Sequence, residues 1–472
     1  MKRLFFIQSI ILLTLSTSSF ASSLRQDLRE LLDSLDGTNC SQKMSRTSDL
    51  LDNLSAEDYK KELSSNGHEL LLEELWNYKI IIHEKMRELG KSQNLLRDCA
   101  DSMRHAFRSI RTSEDFIQES FYRQNAESQE FPDDAFGEDN SEVKKHPDMQ
   151  NFRMVKDLKS GDVILSRGNA FTSAAIASLG EFDTQFSHMS IVYRDENAKL
   201  WTVEAHIEVG SFVRPLEDHI ADKNARTMIF RYEDEETAHR AAEFIFKKVK
   251  KASDTTGNIL YDFGFNQEDS QELFCSEVIS HAYDVVTGGS IKIPLFRSEL
   301  MNRKPEFVKM LGITATESFV PADIEVDPRF KLLAEWRDSK KVNELLQKDA
   351  ILHAMYYWND VFNYQMIQAS SSKSILYRNF AWPLRRVPFL KKYFIEKMPL
   401  NMSRKLIGYF GVLESVGEYL QQDLKAADAQ AIEKNSLPLM KVEKYKVLNE
   451  LRILDLQDKG KLHKMYRPVL TK

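Results

Sequence analysis

The sequence predicts an α+β fold in which a β-rich middle of about 180 residues lies between two helical regions. Three observations predict it. Residues 24–125 are rich in Leu, Glu, Lys and Arg at helical spacing, with no strand-like alternation. The middle holds the β-branched and aromatic runs "GDVILSR", "HMSIVYRD", "KLWTVEAHIEV" and "RTMIFRYE", bounded by Gly, Asp and Asn. From about residue 330 the pattern turns helical again to the end of the chain.

The chain opens with "MKRLFFIQSIILLTLSTSSFASS". Lys2 and Arg3 form a positive start, an apolar run follows, and Ser19-Phe20-Ala21 is a small-x-small cleavage site, so 1–21 reads as a secretory signal peptide. The apolar run is shorter than the roughly 20 residues of a membrane span, and an uncleaved anchor is the alternative. No later segment is long and apolar enough to span a bilayer, so no transmembrane span is expected. The expected location is the periplasm of a bacterium or the medium outside it. A formal net charge of −6 argues against a dedicated nucleic-acid binder.

In the N-terminal helical region, 22–125, "LRQDLRELLDSL" and "GHELLLEELWNYKIIIHEKMRELG" carry the helical spacing. The stretch 126–150 is polar and acidic and reads as a linker. Residues 151–325 form the α+β unit, with a helix predicted over "ETAHRAAEFIFKKVKKA" and another starting near Cys275 and stopping at Gly288-Gly289. Residues 326–472 form the C-terminal helical region. "HEKMR" at His83 and "HELLL" at His68 lack the second His of a helical zinc site, and "DFG" at Asp262 has no kinase loops beside it. With no CxxC, P-loop or dinucleotide fingerprint, neither a metal nor a cofactor is expected.

Export makes the three cysteines informative, because an oxidising compartment favours disulfides and an odd count leaves one thiol over. Cys40 and Cys99 fall in the same helical region and can pair, leaving Cys275 free; three reduced, buried cysteines are the alternative. Cys275, Val278, Ile279 and Ala282 share one helical face, which suits a packed core residue. A position in the first helical turn adds unpaired N–H groups and the positive dipole end, so a depressed thiol pKa is expected.

A nucleophilic thiol needs a base, usually a histidine held by a third group. The hairpin "FSHMSIVYRDENAKLWTVEAHIEV" offers one. A three-residue loop at Asp195-Glu196-Asn197 pairs Arg194 with Ala198, and counting back sets His188 opposite Glu204. A one-residue slip would lose the pair. His206 lies on the same face as Glu204 and is a rival base. His281, six residues past Cys275, falls on the far side of the cysteine helix. A half-buried strand pair with an ordinary His–Glu contact is the plainer reading of the hairpin.

The segments "LKSGDVILSRGNAFTSAAIASLGEFDTQFSHMSIVYR", "WTVEAHIEVGSFVRPLEDHI" and "NILYDFGFNQEDSQELFCSEVISHAY" resemble the permuted papain-like cysteine hydrolases of the YiiX/YaeF type. These are related to NlpC-type cell-wall peptidases and to the lecithin–retinol acyltransferase group. The marks are Gly-Asp at a strand start (Asp162), Ser-His before an apolar strand (Ser187, His188), Glu-Ala in the next strand (Glu204), and Tyr-Asp upstream of Cys-Ser-Glu (Tyr261, Asp262, Glu277). The resemblance covers residues 155–300 and implies a circularly permuted papain-like core, an antiparallel sheet or half-barrel packed on the cysteine helix. It also implies Cys275 as nucleophile, His188 as general base and Glu204 as the residue orienting it. Asp162, Ser187, Tyr261, Asp262 and Glu277 would then be structural or substrate-facing. The implied chemistry is acyl transfer from an amide or ester through a cysteine thioester.

In 373–410, Arg385, Arg386, Lys391 and Lys392 alternate with Trp382, Phe389, Tyr393 and Phe394. The plainer reading has the aromatics packed inward and the basic residues solvated. The sharper one is a peripheral surface for anionic lipid or cell-wall polymer. Three functions follow from the whole sequence. The first is a secreted cysteine amidase or peptidase acting on peptide or amide substrates, cell-wall peptides among them. The second is a thiol acyltransferase or lipase acting on lipids. The third is a binding protein that keeps the fold without turnover.

Overall fold

A computed structural model of the protein describes residues 28–32, 35–128, 130–131, 142–180, 183–222, 224–255, 257–266, 271–300, 308, 312–367, 375–384, 387 and 401–469. The leader expected at 1–21, the acidic residues 132–141 and the basic aromatic residues 385–386 and 388–400 lie outside them.

Among the described residues seven strands form one antiparallel sheet: β1 (Lys144–Lys145), β2 (Val163–Arg167), β3 (His188–Arg194), β4 (Leu200–His206), β5 (Gly210–Pro215), β6 (Arg226–Tyr232) and β9 (Phe330–Arg337). Their order is β1-β9-β6-β2-β3-β4-β5. Two small pairs stand apart, β7 (Ser298–Glu299) with β8 (Glu317–Ser318) and β10 (Tyr364–Met366) with β11 (Tyr466–Pro468). The mixture of helices with an antiparallel sheet is an α+β fold, as the sequence predicts.

β9 departs from expectation, because helix was predicted from about residue 330. "FKLLAEWR" is buried at nearly every position and lies between β6 and β1. A strand covered on both faces loses the alternation that would identify it, and an unbroken apolar run reads equally well as buried helix. β5 also had no predicted counterpart.

The main helices are α1 (Cys40–Asp52), α2 (Ala56–Asn66), α3 (His68–Lys91), α4 (Arg97–Asn125), α5 (Phe171–Ala177), α6 (Leu216–Ile220), α7 (Glu235–Thr255), α8 (Cys275–Val286), α9 (Val342–Phe362), α10 (Arg404–Asn435) and α11 (Lys441–Asp458). α8 ends at Thr287, and Gly288 and Gly289 follow with φ of 59° and 82°, as a glycine stop signal predicts. α8 packs on β3, β4 and α7, while α9, α10 and α11 pack on one another and reach α5. One hydrophobic cluster joins Val163, Ile191 and Val203 of the sheet to Val278 and Ile279 of α8 and to Ile351 and Val412 of α9 and α10. A second cluster holds the N-terminal helices together, and there Cys40 and Cys99 form a disulfide between α1 and α4.

The Gly161-Asp162 pair shows how a short motif positions the layers. Gly161 has φ +91°, and a Cβ there would collide with Ala238 of α7. Asp162 is buried and takes both prongs of Arg231, at 2.7 and 2.6 Å, together with the Lys159 N–H at 2.8 Å. Gly161 therefore lets α7 approach the start of β2, and Asp162 ties that start to Arg231 of β6. Among the described residues no helix is long and apolar enough to cross a membrane.

Candidate active site

Cys275 is the first residue of α8 and is 3% exposed. Its sulfur lies 3.8 Å from the Ser276 hydroxyl, accepts a hydrogen bond from the Tyr261 hydroxyl, and faces the backbone N–H groups of Met189, Ser276 and Cys275 itself. The Met189 N–H is available because the β3–β4 ladder runs only from Arg194↔Leu200 to Ile191↔Val203. Amides alternate direction along a strand, so the Met189 N–H points into the gap where β4 has parted from β3. The sulfur occupies that gap, one residue from His188.

Glu204 is fully buried and is the centre of the neighbouring cluster. His188 Nε2 lies 2.8 Å from its Oε2, His206 Nε2 3.0 Å from the same oxygen, and His219 Nδ1 3.2 Å from Oε1. Arg214 donates from Nε to Oε1 at 2.6 Å and from Nη2 to Oε2 at 3.1 Å, and the Thr202 hydroxyl donates to Oε1 at 2.7 Å. Burial acts to raise the Glu204 pKa, but His219 and the hydrogen bonds from His188 and His206 hold it well below the usual carboxylate range. An ionised Glu204 accepts the Nε2 proton of His188, which fixes the tautomer and leaves Nδ1 with the lone pair. Burial lowers the His188 pKa to about 4, so its imidazole is neutral at pH 7.

Two expectations need correction. The hairpin loop is Glu196-Asn197-Ala198, one residue later than predicted, and Ala198 takes the left-handed position at φ 61°. Asp195 decides this: its Oδ1 accepts the Asn197 and Lys199 N–H groups at 3.0 and 2.8 Å, which makes it the last strand residue. The register therefore moves by two; carried past the end of the ladder at Ile191↔Val203 it sets His206, not Glu204, across the gap from His188, and the two rings meet with centroids 4.7 Å apart and edge to face. Glu204 is its diagonal neighbour. The second correction concerns the thiol. Burial pushes the Cys275 pKa up, and the amides at the helix start oppose this only in part. With the thiol raised and the imidazole lowered by burial, both groups are neutral at pH 7, and among the described residues no hydrogen bond joins the Cys275 sulfur to His188.

The supporting residues divide by position. Tyr261 is 2% exposed and touches the sulfur, whereas Asp262 ties its own loop by accepting the Gly264 and Asn266 N–H groups, each at 2.6 Å. Glu277 is buried in the first turn of α8 and accepts the Phe274 N–H at 3.4 Å. The Ser187 hydroxyl accepts the Gly168 N–H at 3.3 Å. His281 lies away from the site, 2.6 Å from Lys248 Nζ.

Sequence reasoning missed Arg214 and His219, which arrive on β5 and α6. The available signal was the period of two in Thr202, Glu204 and His206, which continues across the sheet because Thr202 pairs with Arg214. His188 Nε2, His206 Nε2 and a Glu204 oxygen lie within 4.8 Å of one another, compact enough for a metal ion. The donor set fits one poorly, because the Arg214 guanidinium occupies both oxygens of the same carboxylate and would face a dication.

Residues 157–334 match the family model described as permuted papain-like amidase enzyme, YaeF/YiiX, C92 family, which is the family the sequence motifs resemble. The match supports a cysteine hydrolase of the amidase kind over that part of the chain and implies a peptide or amide substrate. No curated protein and no solved structure matches the chain.

Proposed function

We propose that the protein is an exported cysteine amidase with a circularly permuted papain-like core, in which Cys275 is the nucleophile, His188 the general base and Glu204 the residue that orients His188. One observation carries this reading: the Cys275 sulfur, at a helix start with a tyrosine hydroxyl and backbone N–H groups around it, lies one residue from a histidine that a buried carboxylate holds at 2.8 Å.

Both reacting groups start neutral. As the sulfur attacks the amide carbonyl carbon, the thiol proton passes to Nδ1 of His188, and Glu204 stabilises the imidazolium that forms. The carbonyl oxygen gains charge and is met by the Tyr261 hydroxyl and the amides at the start of α8. His188 then gives its proton to the departing amine as the C–N bond breaks, leaving a thioester. Water, deprotonated by His188, attacks the thioester carbonyl, and the carboxylic acid and thiol are released. A lipid hydroxyl or an amine in place of water turns the same sequence into acyl transfer. The Cys40–Cys99 bridge fits an oxidising compartment, which supports export to the periplasm or beyond. Cell-wall peptides are the substrate proposed for such a location.

The test is a panel of peptide and N-acyl amides given to the wild type and to Cys275→Ala, with intact-mass detection of an acyl-enzyme after rapid quench. Turnover by the wild type, its loss in the variant, and an adduct on the Cys275 peptide are expected. Equal turnover by both proteins, or an adduct on another residue, would overturn the assignment.

A further inference from the structure

Residues 375–384 are helical, with the wider π form over Tyr377–Ala381. Their exposed side consists of Ile375, Leu376, Asn379, Phe380, Pro383 and Leu384, whereas Ala381 is buried and Trp382 half-buried. Five of these six outward residues are apolar, with Leu376 55% and Phe380 59% exposed. Single exposed leucines are ordinary, but a contiguous apolar ridge along a helix marks an interaction surface.

Charge identifies the surface that fits. Between residues 375 and 405 the sequence has eight Lys or Arg and a single acid, Glu396, in a chain whose net charge is −6. Arg404, itself exposed, lies against the ridge, donating to the Arg378 carbonyl at 3.1 Å and to Asn379 Oδ1 at 2.7 Å. An apolar ridge within a basic segment matches the acyl chains and phosphates of a membrane surface.

The ridge is also joined to the candidate site. Trp382 Nε1 donates to the Met402 carbonyl at 3.2 Å, and the preceding Asn401 donates to the Tyr261 carbonyl at 2.8 Å. The hydroxyl of the same Tyr261 meets the Cys275 sulfur. We infer that the face of 375–384 docks on a bilayer rich in anionic phospholipid and presents the Cys275 site to amides or esters held at that surface. The docking stands on the exposed ridge and on the basic sequence that follows it, of which Arg385, Arg386, Lys391, Lys392 and Lys397 lie outside the described residues, and the substrate class rests on the proposed role of Cys275.

The test uses the full mature chain and sedimentation with vesicles of phosphatidylcholine alone or mixed with phosphatidylglycerol, at low and high salt. Binding is expected on the mixed vesicles and should weaken with salt. Leu376→Asp combined with Phe380→Asp should lower the apparent vesicle affinity by about tenfold or more. The unfolding midpoint and turnover of a soluble amide should stay unchanged. Leu376→Gln with Phe380→Gln provides a milder pair that should fall between. Cys275→Ala should bind vesicles like the wild type, so failure of docking and failure of the nucleophile assignment are separately visible. Three results would overturn the proposal: no binding to anionic vesicles, equal binding by wild type and both double variants, or a wild-type dimer in light scattering that the Asp variant converts to monomer.

Discussion

His188 and Glu204 meet at 2.8 Å although they are not cross-strand partners. The contact survives because the hairpin register differs from the simplest loop count by two, and side chains on a strand return to the same face every second residue. The diagonal leaves the position opposite His188 to His206, so both rings reach the same carboxylate oxygen. Glu204 thus serves as the anchor of a cluster, and its ionisation in a buried setting depends on how many donors surround it.

Arg214 contributes two of those donors, so Arg214→Ala should cost about 3 kcal/mol or more in unfolding free energy by leaving a buried carboxylate short of its countercharge. With the guanidinium gone the Glu204 pKa should rise, and its hold on the His188 tautomer should weaken. Turnover should therefore fall even at temperatures where the variant is folded. Arg214→Lys keeps the charge and loses the fork, so partial rescue is expected. Urea unfolding beside amide hydrolysis reads both effects. A variant of full activity would remove Arg214 from the positioning role.

The pH dependence follows from two displaced groups. The base form of His188 persists down to about pH 4, so its loss should appear there and not near 6.5. The raised Cys275 thiol places no falling limb in the neutral range, so kcat/KM should be flat from about pH 5 to 8. A bell centred near neutrality would mean a preformed thiolate–imidazolium pair instead. Stability has its own sign. A histidine depressed in the folded state is protonated first in the unfolded chain, so stability should fall as pH drops from about 6.5 toward 4. His83, buried and held to about 3, and His281, held to about 4, act in the same direction. Unfolding at pH 7 and pH 5 checks this, and His188→Gln should remove part of the difference.

What the sequence disclosed and what it hid have physical causes. The cysteine helix, its Gly288-Gly289 stop, the hairpin and the Gly161-Asp162 corner are local, each written in residues a few positions apart. The exact register was not, because an Asp195 side chain closing on two amides outweighed the tolerance of Asn197 for a left-handed backbone. β9 was hidden by burial at all but one of its positions. Arg214 and His219 could be placed beside Glu204 only once β5 was known to pair with β4. The thiol pKa expected from the helix dipole was reversed by burial, a quantity no local pattern reports.

Thiol chemistry separates the three cysteines. Cys275 is 3% exposed with a raised pKa, so iodoacetamide should label it slowly at pH 7 and faster as pH rises. Cys40 and Cys99, bridged across a sequence separation of 59, should label only after reduction. Opening that loop by Cys40→Ser with Cys99→Ser should cost up to about 4 kcal/mol on the chain-entropy estimate. Fast labelling of Cys275 at neutral pH would contradict the buried neutral thiol described above.

Gly210 tests how closely Tyr261 must be held. It opens β5 at φ +78°, and a Cβ there would strike the Ile259 carbonyl oxygen and come within 3.0 Å of its carbon and 3.2 Å of Leu260 Cα. The contact is backbone against backbone, since Ser211 N–H donates to Ile259 O at 2.7 Å, and no side chain can swing aside. Leu260 O in turn accepts from Leu273 N–H at 3.0 Å, just before the cysteine helix. Gly210→Ala should therefore displace the chain leading into Tyr261 and lower kcat more than it raises KM. Its stability cost should exceed the roughly 1–2 kcal/mol of the left-handed backbone alone. Gly257→Ala supplies the comparison: φ is +96° with nothing within 4 Å of a Cβ, so it should carry the backbone cost and leave kcat unchanged. Equal kinetics for the two variants would mean that the Tyr261 hydroxyl need not be held against the sulfur for turnover.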